Sequence, residues 1–245
     1  MMTTDTGDRI IPARNAPVLF EEETLSTNTV LKERASALPH GTVLWCLRQS
    51  AGRGRSGRSF ISPDGGLYYS MLLKFAEPDE RLMAVTPLAA VAVVRAVRSV
   101  CGLKTEIKWP NDVLSDGKKI CGILTESVVK PDMMQIIVGI GINVNTAAFP
   151  GLPEGVACSV FTETGRISNI AALAEQLTHE LDMVFALLPR TDPADVEEYR
   201  KCCCTIGKKI SPGGTAIRIN DDFSLVTAFP DGTEKRIYFG EIFHE

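Results

Sequence analysis

From Val18 to Cys204 strand-length and helix-length apolar patterns alternate, and from Gly207 onward only short strand-length patterns remain. That change of period admits few folds: a mixed sheet covered by helices, then a small all-β module. The first regime opens with strands over Val18 to Glu23 and Thr42 to Gln49, around a helix from Asn28 to Leu38 capped by Ser26 or Thr27. A loop over Ser50 to Gly66 leads to a strand over Leu67 to Phe75, a helix from Leu82 to Val100 and a strand over Thr105 to Trp109. Asp116-Gly117 is a turn whose two positions tolerate positive φ, so Asp112 to Ser115 pairs with Lys118 to Val128, and Met134 to Asn145 continues the sheet. Apolar residues from Ile170 to Leu188 keep helical spacing behind a Ser168 cap, and Asp192-Pro193 opens a second helix ending near Cys204. The second regime has strands over Lys208 to Ser211, Thr215 to Ile219, Phe223 to Ala228 and Glu234 to Phe239, broken by Pro-Gly-Gly, Asn-Asp-Asp and Pro-Asp-Gly turns. The expected class is therefore α+β: a mixed β-sheet flanked by helices in residues 1–204, with a small β module in residues 205–245.

With 44% hydrophobic residues the chain can bury a sizeable core. The most apolar stretch, Leu82 to Val94, is interrupted by Thr86 and Pro87 and followed by Arg95. It is shorter than the roughly 20 residues that span a bilayer, so it reads as a buried helix and not as a membrane anchor. A net charge of −4 argues against nucleic acid as the main partner. The first residues, MMTTDTGDRI, have no basic segment followed by an apolar run, and seven cysteines are an odd number, so a reducing cytoplasmic setting is expected. Cys202, Cys203 and Cys204 read as thiols near a helix end, since His40, His179 and His244 supply no metal-binding spacing beside them.

The chemistry concentrates in Gly52-Arg53-Gly54-Arg55-Ser56-Gly57-Arg58, between two strands. Three glycines remove side chains that would keep a ligand off the backbone, and three arginines bring forked donors for phosphate or carboxylate. No Gly-Lys-Ser/Thr follows and no helix opens directly after it, so this is not a P-loop. Taken alone, the segment also fits a solvated basic loop, or a non-catalytic nucleotide- or RNA-binding protein.

Ser26-Thr27-Asn28, Gln49 through Arg58, Lys108-Trp109-Pro110-Asn111-Asp112, Lys119 through Leu124 and Gly139 through Asn145 resemble, in this order, the successive motifs of biotin protein ligases. The resemblance runs from about residue 18 to the C-terminus. It implies activation of biotin by MgATP to biotinyl-5'-AMP, then transfer to a lysine of the biotin carboxyl carrier domain of acetyl-CoA carboxylase or a related carboxylase. By resemblance Lys119 and Arg55 act at the reacting centre, and Ser26, Thr27, Asn28, Gln49, Arg53, Gly54, Arg55 and Lys119 hold biotin. Arg53, Arg55, Arg58, Phe60, Asn111 and Asn143 would meet ATP and the adenylate, and Asp112 would hold Mg²⁺ or a nucleotide hydroxyl. Plainer readings stand beside these: Ser26 and Thr27 as helix caps, Trp109 as core, Asn111 and Asn143 as turn stabilisers, and Glu126 as the outward face of its strand.

Two departures from the family pattern concern Phe60, where many members carry tryptophan, and the stretch between Ser211 and Thr215, where many have an extra strand pair. The expected SH3-like C-terminal module is therefore shortened. About 20 residues precede the first strand, too few for a winged helix-turn-helix, so no repressor role is expected. A lipoate or octanoate ligase or transferase is the alternative enzyme. The sequence leaves open whether the protein forms a homodimer.

Overall fold

The computed structural model describes residues 15–130, 133–211, 213–238, 240 and 242–244. The reading of MMTTDTGDRI, Pro212 of the first C-terminal turn, and Phe239 of the last expected strand lie outside them. Seven strands form one sheet: β1 (Val18–Thr24), β2 (Val43–Gln49), β3 (Gly66–Phe75), β4 (Glu106–Lys108), β5 (Asp112–Ser115), β6 (Lys118–Lys130) and β7 (Met133–Asn143). Their order is β1-β2-β3-β7-β6-β5-β4, with β1 and β2 parallel and all other neighbours antiparallel. The expected hairpin closes at Asp116 and Gly117, both at positive φ.

Strand β3, next to the central β7, is buried on both faces, which explains its near-continuous apolar sequence. Leu67, Tyr69, Met71 and Leu73 point into the main core, while the intervening Leu72 joins Leu44 and Ile137 beneath Leu31 of α1 (Thr27–Arg34) and Ala35, which follows it. One face is thus covered by α1. The other packs on α2 (Val85–Cys101), which in turn contacts α4 (Ile170–Phe185) and α5 (Pro193–Cys202). Together with a 3-10 turn at Glu80–Ala84, α2 is long and apolar enough to cross a membrane by length and composition alone. Here its residues from Leu88 to Val93 are wholly buried against the sheet and its neighbouring helices, which makes it the core helix.

Several boundaries differ from expectation. The first helix stops at Arg34 rather than Leu38: turns over residues 35–37 follow it, and Leu38, directly before Pro39, is disfavoured in helical geometry. Likewise α4 stops at Phe185, ahead of Leu188-Pro189. Its cap is Asn169, which accepts from Ala172 N at 3.1 Å, and not Ser168, whose N–H donates to Asn145 Oδ1 at 2.9 Å. A short helix α3 (Val160–Thr164), closed by a Ser159–Thr162 capping box, was not expected. Arg95 of α2 ties the helical layer together, lying 2.8 Å from the buried carboxylate of Asp195 and 2.6 Å from Glu198, both on α5.

The C-terminal module comprises β8 (Ile210–Ser211), β9 (Thr215–Ile219), β10 (Leu225–Ala228), β11 (Glu234–Ile237) and β12 (Phe243–His244). Strands β9, β10 and β11 form an antiparallel sheet and β8 pairs with β12, the small SH3-like arrangement expected. Phe223 is a positive-φ residue ahead of β10 and not its first strand residue. Ile210, Ala216, Ile219, Leu225 and Ile242 belong to the same core as the large sheet. The indole of Trp109 donates to Phe223 O at 2.8 Å and its backbone N–H to Thr205 Oγ1 at 3.0 Å. Trp109 is thus core, as its plainer reading held, while its edge still reaches the cleft described next.

Candidate active site

The cleft floor comes from three missing side chains. Gly122 of β6 sits opposite Gly141 of β7, and Leu124 opposite Gly139. Glycines 139 and 141 share one face because strand side chains alternate, while Val138, Ile140 and Ile142 turn into the core. A Cβ on Gly139 would lie 2.2 Å from Asn28 Oδ1, and one on Gly141 2.5 Å from Phe60 Cε1. On Gly122 it would stand 3.1 Å from Phe60 Cε2. Asn28 and the Phe60 ring therefore lie directly on the sheet.

The start of α1 builds a polar seat at one end. Ser70 Oγ on β3 lies 2.7 Å from Thr27 Oγ1 and 2.6 Å from Asn28 Oδ1. Thr27 N donates to Gln49 Oε1 at 2.9 Å, and Gln49 Nε2 donates to Ser62 Oγ at 3.0 Å. Ser26 occupies the N-cap position with extended backbone, but its hydroxyl makes no capping bond. That plainer reading holds for its position and not for its bond.

The glycine and arginine loop folds as a hairpin over this floor. Phe60 N donates to Gly52 O at 2.9 Å, Gly54 N to Arg58 O at 2.7 Å, and Arg53 bridges Ser59. A Cβ on Gly52 would fall 2.4 Å from Phe60 O, so this glycine serves the loop's own closure, a correction to its expected role of exposing backbone to a ligand. Arg53 NH1 reaches Glu126 at 3.4 Å, and Arg58 Nε lies 3.4 Å from Arg55 O. Arg55 donates to Asn111 Oδ1 at 2.6 Å and to Gly240 O, linking the loop tip to the C-terminal module.

At the far end Lys119 Nζ stands 2.7 Å from Asp112 Oδ1. Lys119 also pins the segment before α3, since its N–H donates to Val156 O and its carbonyl accepts from Cys158 N, both at 2.9 Å. The buried amides of Asn111 and Asn143 donate to Ile123 O and Cys158 O at 3.0 and 2.9 Å, supporting their stabilising role. Glu126 is not simply outward-facing: at 15% exposure its carboxylate accepts from Asn28 Nδ2 and faces Lys32 and Arg53.

All thirteen candidate residues line one cleft of about 420 Å³: Ser26, Thr27, Asn28, Gln49, Arg53, Gly54, Arg55, Arg58, Phe60, Asn111, Asp112, Lys119 and Asn143. Sequence reasoning gave no role to Lys108, Phe149, Leu152 or Val156, which line it too. The period-two glycines of Gly139-Ile140-Gly141 were the legible sign of the floor. Among the described lining residues five are cationic (Arg53, Arg55, Arg58, Lys108, Lys119) and one, Asp112, is anionic. In a chain of net charge −4 this is a local concentration of positive charge aimed at an anion.

Among the described residues no group of three or more His, Cys, Asp or Glu side chains could hold a metal. Cys202, Cys203 and Cys204 are free thiols whose pKa values burial raises, that of Cys204 to about 11. They lie at and just beyond the end of α5, where the sequence placed them.

A mixed sheet with a glycine floor, a polar seat and a cationic hairpin makes this an α+β protein whose cleft can attract negative charge. The Biotin/lipoate A/B protein ligase family model matches residues 21–143, and the chain belongs to that family. It is 36% identical over 165 residues to the bifunctional ligase/repressor BirA of Bacillus spizizenii, a match covering 65% of this chain and 51% of that relative. The chain thus spans about half the length of this curated relative. It is 37% identical over 149 residues to the biotin--[acetyl-CoA-carboxylase] ligase of Paracoccus denitrificans, covering 57% of this chain and 61% of that one. Among solved structures, the biotin protein ligase of Aquifex aeolicus in complex with biotin and ATP superposes with a TM-score of 0.76 at 27% identity, over 92% of this chain and 97% of that one.

Proposed function

We propose that the protein is a biotin protein ligase, converting biotin and MgATP to biotinyl-5'-AMP and pyrophosphate and then biotinylating a lysine of a carboxylase's biotin carboxyl carrier domain. The observation that carries this reading is the meeting of three parts in one cleft: the Thr27–Gln49 polar seat, the cationic hairpin, and Lys119. The Aquifex aeolicus protein, solved with biotin and ATP, lends support.

The first half-reaction brings a carboxylate to an α-phosphate, and two unit charges at 4 Å repel by about 1 kcal/mol in water and by more in a drier site. Lys119 and Arg55, with Arg53 beside them, offset that charge as a carboxylate oxygen attacks phosphorus and the bond to pyrophosphate breaks. In this reading Ser26, Thr27, Asn28 and Gln49 hold the neutral ureido head. Arg55 and Arg58 take the phosphates, while Phe60, Asn111 and Asn143 lie towards the adenine. In the second half-reaction the acceptor lysine's amine attacks the acyl carbon, AMP leaves, and the amine's surplus proton passes to solvent.

Magnesium carried by nucleotide phosphates fits Asp112, the single carboxylate among the described lining residues, and would neutralise phosphate charge there. We place the two units at residues 1–204 and 205–245, and the protein in the cytoplasm. The deciding measurement is ATP–pyrophosphate exchange, expected to require biotin and to ignore lipoate. Exchange driven by lipoate alone would overturn the proposal.

A further inference from the structure

Glu126 does not line the cleft, yet two elements that build the cleft end on its carboxylate. Asn28 Nδ2 of α1 donates to Oε2 at 3.0 Å, and Arg53 NH1 of the hairpin lies 3.4 Å from Oε1. Lys32, one turn along α1, approaches the same oxygen at 3.4 Å. We propose that Glu126 is a positioning residue that sets the polar seat and the cationic hairpin relative to each other.

The orientation of Asn28 leaves little freedom. Ser70 occupies its Oδ1 at 2.6 Å, and the bare face of Gly139 presses on the same group, so Nδ2 must point to Leu124 O and Glu126. An acceptor at position 126 is therefore required to satisfy a buried amide. Arg53 is a different case. Its side chain is half exposed, and 3.4 Å is longer than the ~2.7–2.9 Å of a tight charge-assisted bond. The carboxylate draws the guanidinium over the floor while leaving most of its fork for an incoming anion. One negative charge between Lys32 and Arg53 thus holds a helix and a loop, with the strand that bears it, in one arrangement.

This inference rests on the ligase reading for its kinetic arm alone. Glu126→Gln keeps an acceptor for Asn28 and deletes the charge that faces Arg53, whereas Glu126→Ala deletes both. Limited trypsin digestion of the unliganded full chain should cut after Arg53 about threefold faster in Glu126→Gln, as expected for loss of a partly exposed ion pair, and faster again in Glu126→Ala. Lys32→Met should cut like the parent. In pyrophosphate exchange, the KM for biotin should rise about fivefold in Glu126→Gln with kcat within about twofold, the pattern of lost preorganisation. Unchanged cleavage, faster cleavage with unchanged KM, or cleavage rising equally across the chain would each overturn the positioning role. A parent protein without biotin-dependent exchange would refute the ligase reading, and the trypsin comparison would still decide the role of Glu126.

Discussion

The ammonium of Lys119 on β6 rests 2.7 Å from the carboxylate of Asp112 on β5, with both side chains partly open to the cleft. The lysine is held in place by a partner that an incoming anion must displace or share. In the proposed reaction its charge acts where the biotin carboxylate meets the nucleotide. Lys119→Ala should therefore leave biotin binding within about tenfold while single-turnover adenylation falls about 10²–10³-fold, the range for removing one stabilising donor. Unchanged adenylation would remove Lys119 from the reacting centre.

Arg55 joins the hairpin tip to Asn111 and to the carbonyl of Gly240. Arg55→Ala unties both, so a bound adenylate should escape into solution about tenfold faster, as read from labelled intermediate passing a filter. Equal retention would assign the holding role elsewhere.

Gly139 faces Asn28 with no room for a methyl group. Gly139→Ala should cost about 1–3 kcal/mol through overpacking. It should also weaken biotin binding more than ATP binding, because the displaced residue belongs to the polar seat. Calorimetric titration with each ligand separates the two.

Glu198 illustrates a pH effect remote from the site. Burial works to raise its pKa, but hydrogen bonds and charge from Arg95 and Arg98 outweigh it and hold the carboxyl below the ordinary glutamate value. A depressed folded-state pKa gives stability that is present above the unfolded value, about 4.3, and is lost as pH falls through the folded one. Thermal melts should therefore show a steeper loss below about pH 4.3 in the parent than in Glu198→Gln. Parallel curves would dismiss the network as a source of acid sensitivity.

Two buried thiols, Cys46 and Cys158, should be silent in the native state. Burial pushes Cys46 up to about 12 and Cys158 to about 11, so at neutral pH almost no thiolate is available. Maleimide should modify these two only after unfolding, which mass spectrometry of labelled peptides would record.

Much of this architecture was legible in the sequence, because apolar periodicity marked the strands and helices and turn residues such as Asp116-Gly117 fixed the hairpin. The candidate site residues were legible through the order of their motifs, and all of them line the one cleft. What escaped depends on contacts across long separations. Glu126 alternates along β6 like any solvated residue, and only folding brings Asn28 and Arg53 to it from 98 and 73 positions away. Ser168 and Asn169 are equally good caps in sequence, and a bond to Asn145 decided between them. The glycines of the hairpin looked like openings for a ligand, whereas Gly52 is spent on its own strand partner.

Trp109 sits inside the most recognisable motif of the chain, yet its two hydrogen bonds run to Thr205 and Phe223, beyond α5. For protein engineering, this makes the two modules poor candidates for free exchange. A chimera that takes a foreign C-terminal module must bring a backbone carbonyl to the place of Phe223 O and keep a hydroxyl at the Thr205 position. Otherwise it leaves a buried indole N–H and a backbone N–H without acceptors, directly behind the wall of the cleft. The seam between modules would then be inherited together with the motif, as a single unit of grafting.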